Sequence, residues 1–330
     1  MDVLVIGAGV CGLTTGICLA EAGLSVTIRT AAPPERTTSV AAGAVWGMVR
    51  VGPPDRGLDW ARAGLEVLSK LAAEPGTGVR MVSGQEASRT PLEPYFWMKL
   101  LPGLRTCEPS ELPDGFTSGW HYTAPVATMP VYLDYLRGRF EQLPDSRLEV
   151  APVRSLAELA GVAPVVVNCS GVHARDLVPD PEVVPVRGQV VIAANPGIEE
   201  FFINRDEEPP WITYMFPHGD TVLLGGTNEE GNWDEEPKPL IAERIVAHCA
   251  AIDPRLRGVT ILGHRVGLRP SRPAVRLESE PLSAFPSSPP QGVLWHNYGH
   301  GGAGISLAWG CAAAVMTGIL GTPGSGPGPA

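Results

Sequence analysis

Two arginines in a proline-rich segment are the first residues of this sequence that could do chemistry. They are Arg269 and Arg272, in the run Gly267-Leu268-Arg269-Pro270-Ser271-Arg272-Pro273. Proline fixes its own backbone angle, so both side chains leave from a restrained segment. A guanidinium group is planar, always charged and shaped to donate two parallel hydrogen bonds to a carboxylate. Arg269 is therefore a candidate carboxylate-binding residue, with a surface or interdomain ion pair as the equal alternative.

A glycine motif near the N-terminus predicts a dinucleotide site. The run Gly7-Ala8-Gly9-Val10-Cys11-Gly12 has the spacing GxGxxG, and it lies between a strand-like run (3–6) and a helix-forming stretch (13–22). The first glycine permits a tight turn, the second lets the backbone approach a pyrophosphate, and the third lets the helix pack closely on the strand. The helix N-terminus then offers unpaired N–H groups to the phosphates.

The acid that usually binds ribose hydroxyls in such sites is missing. Arg29 and Thr30 follow Ile28 where the second strand is expected to end, and the first acid is Glu35. This absence argues against a standard NAD site. Thr30, the backbone or, less favourably, Glu35 is left to hold the ribose.

A second glycine-rich loop precedes the last apolar helix, expected over residues 305–320. It reads Trp295-His296-Asn297-Tyr298-Gly299-His300-Gly301-Gly302-Ala303-Gly304. Glycines let a backbone touch a flat ligand closely, and the helix N-terminus places partial positive charge against it. For His296 and His300 we favour a structural, hydrogen-bonded role over a catalytic one.

Composition excludes several classes of protein. The net charge of -10 argues against a nucleic-acid partner, while 44% hydrophobic and 18% charged residues are typical of a globular enzyme. The six cysteines form no CxxC pair, so we expect free buried thiols in a reducing compartment and no metal site. We interpret the apolar run 304–320 as too short and too rich in small residues to span a membrane. We expect a disordered tail over 322–330 and a cytoplasmic protein.

The elements that must position these motifs alternate in type. Residues 3–28 predict a β-α-β unit, and Val165–Asn168 reads as a buried parallel strand entering a nucleotide loop. A helix is expected over 58–71. Five β-rich runs predict an antiparallel sheet in a second domain. They cover residues 80–83, 119–122, 183–193, 211–216 and 221–225.

Taken in order, the motifs resemble the D-amino-acid oxidase family, which includes D-aspartate oxidase. The resemblance runs from residue 1 to about 320. It is carried by VIGAGVCGL at the start, TTSVAAGAVWG at 37–47, VNCSGV at 167–172, GNW at 231–233, GLRPSRPAVRLE at 267–278 and HNYGHGGAGISLAWG at 296–310.

The resemblance implies an α/β fold in which a Rossmann-like FAD-binding domain is interleaved with an α+β substrate domain built on an antiparallel sheet. The FAD-binding domain is expected over 1–46, 132–181 and 277–321, and the substrate domain over 47–131 and 182–276. The implied reaction is the oxidation of a D-amino acid by non-covalent FAD and molecular oxygen. The products are a 2-oxo acid, ammonia and hydrogen peroxide.

The resemblance also implies roles for individual residues. Arg269 would bind the substrate carboxylate, Tyr214 would add a second hydrogen bond to it, and the carbonyl of Gly302 would accept from the substrate amine. Ser306 would lie near the flavin C2=O. Further cofactor contacts are expected from Gly7 to Gly12, Thr30, Thr37, Thr38, Ser39, Ala42, Gly43, Ala44, Val153 (near the adenine), Cys169, Ser170, Gly171, Gly301, Gly302, Ala303, Gly304 and Ile305.

Two departures from the family pattern bear on substrate access. The stretch before Tyr214 is shortened and reads Glu207-Glu208-Pro209-Pro210-Trp211, so a tyrosine lid is not expected and Trp211 becomes a candidate cover. Ala303 replaces a larger residue, which opens the pocket.

We expect neutral D-amino acids to be preferred over D-aspartate. The alternatives are a glycine or sarcosine oxidase, a D-aspartate oxidase, a nicotinamide-dependent dehydrogenase and a non-catalytic nucleotide-binding protein. The oligomeric state, monomer or homodimer, is left open.

Overall fold

Two β-sheets, each made from separate stretches of the chain, form the framework of the computed structural model. It describes residues 1–48, 52, 54–159, 161–206, 209–285 and 291–321. The expected disordered tail, 322–330, lies outside the described residues. So do Glu207 and Glu208 of the shortened stretch.

The strands are, in chain order, β1 (Asp2–Ile6), β2 (Ser25–Thr30), β3 (Val79–Ser88), β4 (Arg105–Thr106), β5 (Ser118–Ala127), β6 (Ser146–Val150), β7 (Val165–Asn168), β8 (Val184–Ala194), β9 (Phe201–Asn204), β10 (Trp211–His218), β11 (Thr221–Thr227), β12 (Glu229–Glu230), β13 (Ile261–Ser271), β14 (Arg276–Pro281) and β15 (Val293–Tyr298). The α-helices are α1 (Val10–Glu21), α2 (Pro54–Leu71), α3 (Met129–Glu141), α4 (Ala174–Leu177), α5 (Pro239–Ile252) and α6 (Gly304–Leu320).

The first sheet has the order β14-β15-β7-β1-β2-β6 and is parallel except for β14, which runs antiparallel to β15. Its central strand β1 pairs with β2 on one side and with β7 on the other. Residues 3–6 of β1 are buried because helices cover both faces of a parallel sheet. This arrangement confirms the predicted Rossmann-like unit, and it places the carboxyl ends of β1 and β7 side by side.

The second sheet has nine strands, of which eight follow the order β12-β8-β11-β10-β9-β3-β5-β4, and β13 pairs with β8. The expectation of an antiparallel sheet is confirmed for most of it. The pair β3–β9 departs from this expectation, because its two strands run parallel. The chain reaches β9 only after returning through the first sheet and β8, a connection that a local pattern of residues does not reveal.

The two faces of the second sheet have different partners. Phe216 packs in the same core as β1 and α1, whereas Met215 packs with Ile245 and Cys249 of α5 on the opposite face. Side chains alternate across a strand, so Tyr214 shares the face of Phe216, and the two rings stack with centroids 4.6 Å apart. Trp211 packs with α5 instead, its ring 4.9 Å from that of His248. The hypothesis that Trp211 covers the site is therefore wrong, because it lies on the other face of the sheet.

Helix α6 is part of the core. Thr14 of α1 donates to the carbonyl of Ala308, and a Cβ atom at Gly310 would lie 2.2 Å from the carbonyl oxygen of Trp60 in α2. Among the described residues one helical run, Gly301–Leu320, is long and apolar enough to cross a membrane by length and composition, and just over half of this apolar stretch is buried. The expectation that this run is too short is therefore wrong, and the run packs against α1 and α2.

The six cysteines are all free, as predicted. Four are buried, and Cys11 and Cys18 are half-buried. The predicted domain bounds stay a prediction. The strands of the first sheet come from 2–30, 146–168 and 276–298, and those of the second from 79–127 and 184–271.

Candidate active site

The N-terminal glycine motif forms a tight turn between β1 and α1. Gly7 has a φ of +102°, and a Cβ atom there would lie 2.5 Å from the carbonyl oxygen of Cys169. A Cβ atom at Gly12 would lie 1.9 Å from the carbonyl oxygen of Gly7. Both positions therefore require glycine, the first for its backbone conformation and the second for the close packing of helix on strand.

A short 3₁₀ turn, Thr38–Ala41, lies against the N-terminus of α1. The backbone N–H of Val10 donates to Ser39 Oγ at 3.0 Å, and a Cβ atom at Gly9 would lie 3.0 Å from the same oxygen. Thr37 is next to it, its Oγ1 3.8 Å from that Cβ position. The structure thus brings the predicted segment 37–39 to the glycine motif. Ser39 accepts the helix N–H, which leaves its hydroxyl proton for a phosphate oxygen.

The loop after β7 completes this edge of the sheet. Ser170 donates through both N–H and Oγ to Asn168 Oδ1, at 3.1 and 2.6 Å, and Gly171 has a φ of +61°. Cys169 is buried, with its sulfur 3.8 Å from Thr15 Oγ1. The predicted contacts Cys169 to Gly171 and Gly7 to Gly12 therefore lie together, as expected for parallel neighbouring strands.

Two predicted contacts for the adenosine lie farther along the sheet. Thr30 ends β2 and is buried, and its hydroxyl donates to the carbonyl of Ala32 at 2.7 Å. Its lone pairs are left to accept from a ribose hydroxyl, and the role stays a prediction. Val153 is half-buried and packs on the core around Leu4 and Val166. Its contact with an adenine also stays a prediction. Glu35 is exposed and 3.9 Å from Arg137.

The segment Ala42-Gly43-Ala44 connects the dinucleotide loop to the second sheet. A Cβ atom at Gly43 would lie 2.6 Å from Phe216 Cε2 and 3.2 Å from Tyr214 Cε2. Ala44 has a φ of +60°, a conformation that non-glycine residues rarely adopt. The segment therefore passes directly over the Tyr214–Phe216 stack.

The second glycine loop lies at the N-terminus of α6. Gly301-Gly302-Ala303 form a 3₁₀ turn leading into Gly304 and Ile305, and Gly302 is exposed while Ala303 and Ile305 are buried. A Cβ atom at Gly304 would lie 3.9 Å from a methyl group of Val10. This contact brings the two glycine loops together.

Ser306 follows the second glycine loop and is bound to the backbone of Gly47. It is fully buried, and its hydroxyl donates to the carbonyl of Gly47 at 2.9 Å and accepts from the Gly47 N–H at 3.0 Å. The Gly47 backbone uses the donor of this hydroxyl and one of its two acceptor sites, and the expected contact between Ser306 and the cofactor stays a prediction. Ser306 joins α6 to the segment leading out of the dinucleotide loop.

His300 of the second glycine loop contacts Cys11 of the first, and its surroundings indicate a structural role instead of a catalytic base. Its Nδ1 is 3.6 Å from Cys11 Sγ, and its Nε2 is buried without a partner among the described residues. Burial lowers the pKa of His300 to about 4, so the ring is neutral near pH 7. His296 is also buried, with Nε2 2.7 Å from Glu280 Oε1. Both contacts fit the structural roles that the sequence favoured.

Arg269 projects from β13 beside the glycine loop. Its Nη1 donates to the carbonyl of Thr227 at 3.1 Å, and a Cβ atom at Gly302 would lie 3.9 Å from Arg269 Cδ. Across the described ranges of the chain, no carboxylate lies within ion-pair distance of Arg269. The alternative in which Arg269 forms an internal ion pair therefore has no carboxylate to support it in those ranges. A guanidinium without such a pair can bind the carboxylate of a ligand.

Tyr214 shares a support with Arg269. Its ring lies over two consecutive glycines of β11, because a Cβ atom at Gly225 would be 1.9 Å from Tyr214 Cζ, and one at Gly226 would be 3.5 Å from the hydroxyl oxygen. The next residue is Thr227, whose carbonyl binds Arg269. Gly225, Gly226 and Thr227 therefore hold both predicted substrate-binding residues. Sequence reasoning missed them, although two glycines inside a strand signal a close approach of other groups.

Arg272 is not part of this arrangement. Its Nε is 3.1 Å from Asp180 Oδ2, its Nη2 pairs with Glu182, and its Nη1 donates to the carbonyl of Ala274 at 3.0 Å. The two arginines of the proline-rich segment thus have the two alternative roles that the sequence left open. Arg272 makes the ion pairs, and Arg269 is left for a ligand.

The site fits a flavin dinucleotide on two observations. Along the second glycine loop, a Cβ atom at Gly301 would meet nothing within 4 Å, and one at Gly302 or Gly304 would meet only an atom 3.9 Å away, so open space lies against this bare backbone. Beside the glycine loops, His300 Nε2 and Asn168 Nδ2 are buried polar atoms without a partner within the described residues. Such atoms are costly to bury unless a ligand or water satisfies them.

Comparisons with known proteins agree with this geometry. A family model described as "FAD dependent oxidoreductase" matches residues 2–317. The chain is 48% identical to D-amino-acid oxidase from Rubrobacter xylanophilus, over 96% of this chain and 95% of that protein. It is 45% identical to D-amino-acid oxidase from Streptomyces coelicolor, over 94% of each. Glycine oxidase from Geobacillus kaustophilus has a similar fold, with a TM-score of 0.78 and 20% identity over 96% of this chain and 93% of that one.

Proposed function

The chain belongs to the FAD dependent oxidoreductase family, and from this premise we propose that it oxidises D-amino acids to 2-oxo acids, releasing ammonia and hydrogen peroxide. The observation that carries the proposal is Arg269. Its guanidinium is held by the backbone carbonyl of Thr227 instead of a carboxylate, and its side chain passes close to the exposed Gly302 of the second glycine loop.

Different segments of the chain would hold the pyrophosphate and the ring system of FAD. The glycine motif, the N-terminus of α1 and Ser39 would hold the pyrophosphate. Segment 42–44 and the loop 301–304 would contact the ring system. When bound, FAD would accept the α-hydrogen of the substrate as a hydride, which carries both of the electrons removed in the oxidation.

The protein's part in the reaction is to position the substrate. Arg269 donates to the substrate carboxylate and Tyr214 adds a hydrogen bond from its hydroxyl. The carbonyl of Gly302 accepts from the amine. Three fixed points leave one orientation of the α-carbon, and such orientation contributes a large part of the rate of a reaction between bound groups. No side chain is required as a base, which agrees with the neutral, inaccessible His300.

The proposal includes several finer features that rest on composition and local structure. FAD is held without a covalent link, because backbone at the glycine loops supplies its binding. Oxygen is the acceptor of the electrons, and the protein acts in the cytoplasm on a small-molecule substrate, away from nucleic acid and membranes. A homodimer stays open beside a monomer.

A peroxide assay over matched D- and L-amino acids tests the function. We expect hydrogen peroxide and ammonia from D-alanine, D-valine and D-methionine, and none from their L-enantiomers. Higher turnover of glycine or sarcosine would favour the glycine-oxidase alternative. A requirement for added NAD(P) would favour a dehydrogenase, and bound FAD that no amino acid reduces would indicate a nucleotide-binding protein without catalysis.

Neutral D-amino acids should be preferred over D-aspartate. A side-chain carboxylate entering the site needs a second cation, and an unpaired buried carboxylate is costly. Two arginines are already engaged with carboxylates: Arg205 lies 3.3 Å from buried Glu86, and Arg272 pairs with Asp180. Burial, with Arg80 and Arg265 nearby, lowers the pKa of His218 to about 4, so it is neutral at pH 7.

We expect kcat/KM to be at least about tenfold higher for D-alanine, D-valine and D-methionine than for D-aspartate, since burying an unpaired charge costs more than 1.4 kcal/mol. The measurement is initial peroxide production at several concentrations of each substrate. A higher kcat/KM for D-aspartate than for all three neutral substrates would overturn the preference and favour the D-aspartate oxidase alternative.

A further inference from the structure

The guanidinium of Arg269 lies flat on the backbone of a neighbouring strand. A Cβ atom at Gly188 of β8 would be 2.4 Å from Nη1, 2.4 Å from Nη2 and 2.5 Å from Cζ of Arg269. These three atoms of the planar group are almost equally far from the Cβ position of Gly188, so the flat face of the guanidinium covers that position. Any side chain at residue 188 would therefore occupy the space of the guanidinium.

The register of the strands explains the contact. Arg269 of β13 pairs with Val186 of β8, and Gly188 pairs with Gly267. The side chain of Arg269 thus crosses diagonally by two residues onto its neighbour, a spacing that long side chains reach. Residues 186, 188 and 190 of β8 point to the same face of the sheet. The guanidinium, two residues along the strand from Val186, therefore lies over Gly188.

A second contact fixes the rotation of the guanidinium in this place. Arg269 Nη1 donates to the Thr227 carbonyl at 3.1 Å, and Thr227 Oγ1 accepts from the backbone N–H of Gln189 at 3.0 Å. Thr227 is therefore tied to the residue that follows Gly188. Both contacts of the guanidinium, its face and one N–H, belong to a single rigid piece of β8 and β11.

Glu229, the first acid after Thr227 in the chain, is paired with Arg187 and not with Arg269. Glu229 follows two residues after Thr227, and its Oε1 lies 2.6 Å from Nη1 of the fully buried Arg187. Asn232, of the GNW motif, donates to Glu229 Oε2 at 2.8 Å. Because Glu229 is held on the side of Arg187, the charge of Arg269 remains available to a ligand.

We propose that Gly188 is a positioning residue that sets the orientation of the Arg269 guanidinium and thereby the affinity for the substrate carboxylate. The inference rests on the proposed function of Arg269. Gly188 itself touches no substrate. It acts by leaving the space that lets the guanidinium lie flat, with its remaining N–H groups directed away from Thr227.

The test is Gly188→Ala in the FAD-loaded enzyme. The atoms that an added methyl group meets are the far end of a flexible side chain, so the fold can accommodate it by displacing the guanidinium. Gly188 has no left-handed backbone angle, and alanine fits its strand. We expect KM for D-alanine to rise about tenfold or more with kcat within about twofold, the pattern of lost uniform binding.

Binding of a carboxylate that cannot be oxidised gives a second measurement. Propanoate is titrated while the visible absorbance of the bound flavin is followed, and its Kd should rise by the same factor in Gly188→Ala. Gly263→Ala is the matched control, since Gly263 is another glycine of the same sheet and a Cβ atom there meets nothing within 4 Å. It should keep the wild-type KM, Kd and Tm.

A double mutant separates positioning from a general structural effect. In an Arg269→Ala background, Gly188→Ala should change neither KM nor Kd further, because the group it displaces is gone. Unchanged KM and Kd in Gly188→Ala would overturn the inference, as would an equal loss in the Arg269→Ala background. If wild-type enzyme oxidises no D-amino acid, the proposed function fails, and the propanoate titration alone decides the role of Gly188.

Discussion

Arg269→Ala should lower kcat/KM for D-alanine by about 10²- to 10⁴-fold, or about 3–5 kcal/mol of transition-state stabilisation. The substitution removes a charge-assisted, two-pronged contact and leaves the substrate carboxylate desolvated without a partner. Arg269→Lys keeps the charge but loses the planar fork, so it should recover only part of the loss. Flavin content and Tm should change little, since other segments hold FAD. Steady-state peroxide production and the visible spectrum measure both quantities on the same samples.

Arg272→Ala is the matched control for this prediction. It lies three residues away in the same proline-rich segment, but its charge is used by Asp180 and Glu182. Because removing one partner of a half-buried ion pair leaves the others uncompensated, its main effect should be a lower Tm. Folded, flavin-loaded Arg269→Ala with near-normal kinetics would remove the centre of the proposed function.

The sequence predicted the parts of the site that depend on backbone geometry. The glycine spacing at 7–12 requires a tight turn followed by a helix, and the structure has that turn with Gly7 at a φ of +102°. Val165–Asn168 was predicted with the bounds that the structure shows, because a short apolar run entering a turn has few alternatives. Such features are local, so a local pattern of residues is sufficient to predict them.

The parts that could not be predicted depend on which face or which strand a side chain meets. Trp211 and Tyr214 are three residues apart in β10, and their rings pack on opposite faces of the sheet, but only the packing of α5 decides that the Trp211 face is the one turned away from the dinucleotide loops. Ser306 has the expected position in the chain, but its hydroxyl binds the backbone of Gly47. The contact of Arg269 with Gly188 joins residues 81 positions apart, and only the pairing of β13 with β8 brings them together.

Gly12→Ala, in the first turn of α1, should strongly reduce FAD binding. Its Cβ atom would lie 1.9 Å from the carbonyl oxygen of Gly7, which is a backbone atom that cannot move without distorting the dinucleotide turn. Overpacking of this kind costs about 1–3 kcal/mol, so the Kd for FAD should rise roughly 5- to 150-fold. Titration of FAD-free protein with FAD, followed by the quenching of flavin fluorescence, measures the Kd.

Gly138→Ala is the matched control for this variant. Gly138 lies inside α3, has no left-handed backbone angle, and a Cβ atom there meets nothing within 4 Å. Alanine is the better helix former, so Tm should stay equal or rise, and FAD binding should not change.

In Gly12→Ala the fraction of protein that still holds FAD should turn over D-alanine with near-normal kcat/KM, because Arg269 and Tyr214 lie on the second sheet. Full flavin occupancy of Gly12→Ala at the wild-type Kd would show that this turn does not hold the pyrophosphate. Arg269→Ala is expected to lose turnover while it keeps FAD, and Gly12→Ala to lose FAD while its loaded fraction keeps turnover. The two variants therefore test the two halves of the site independently.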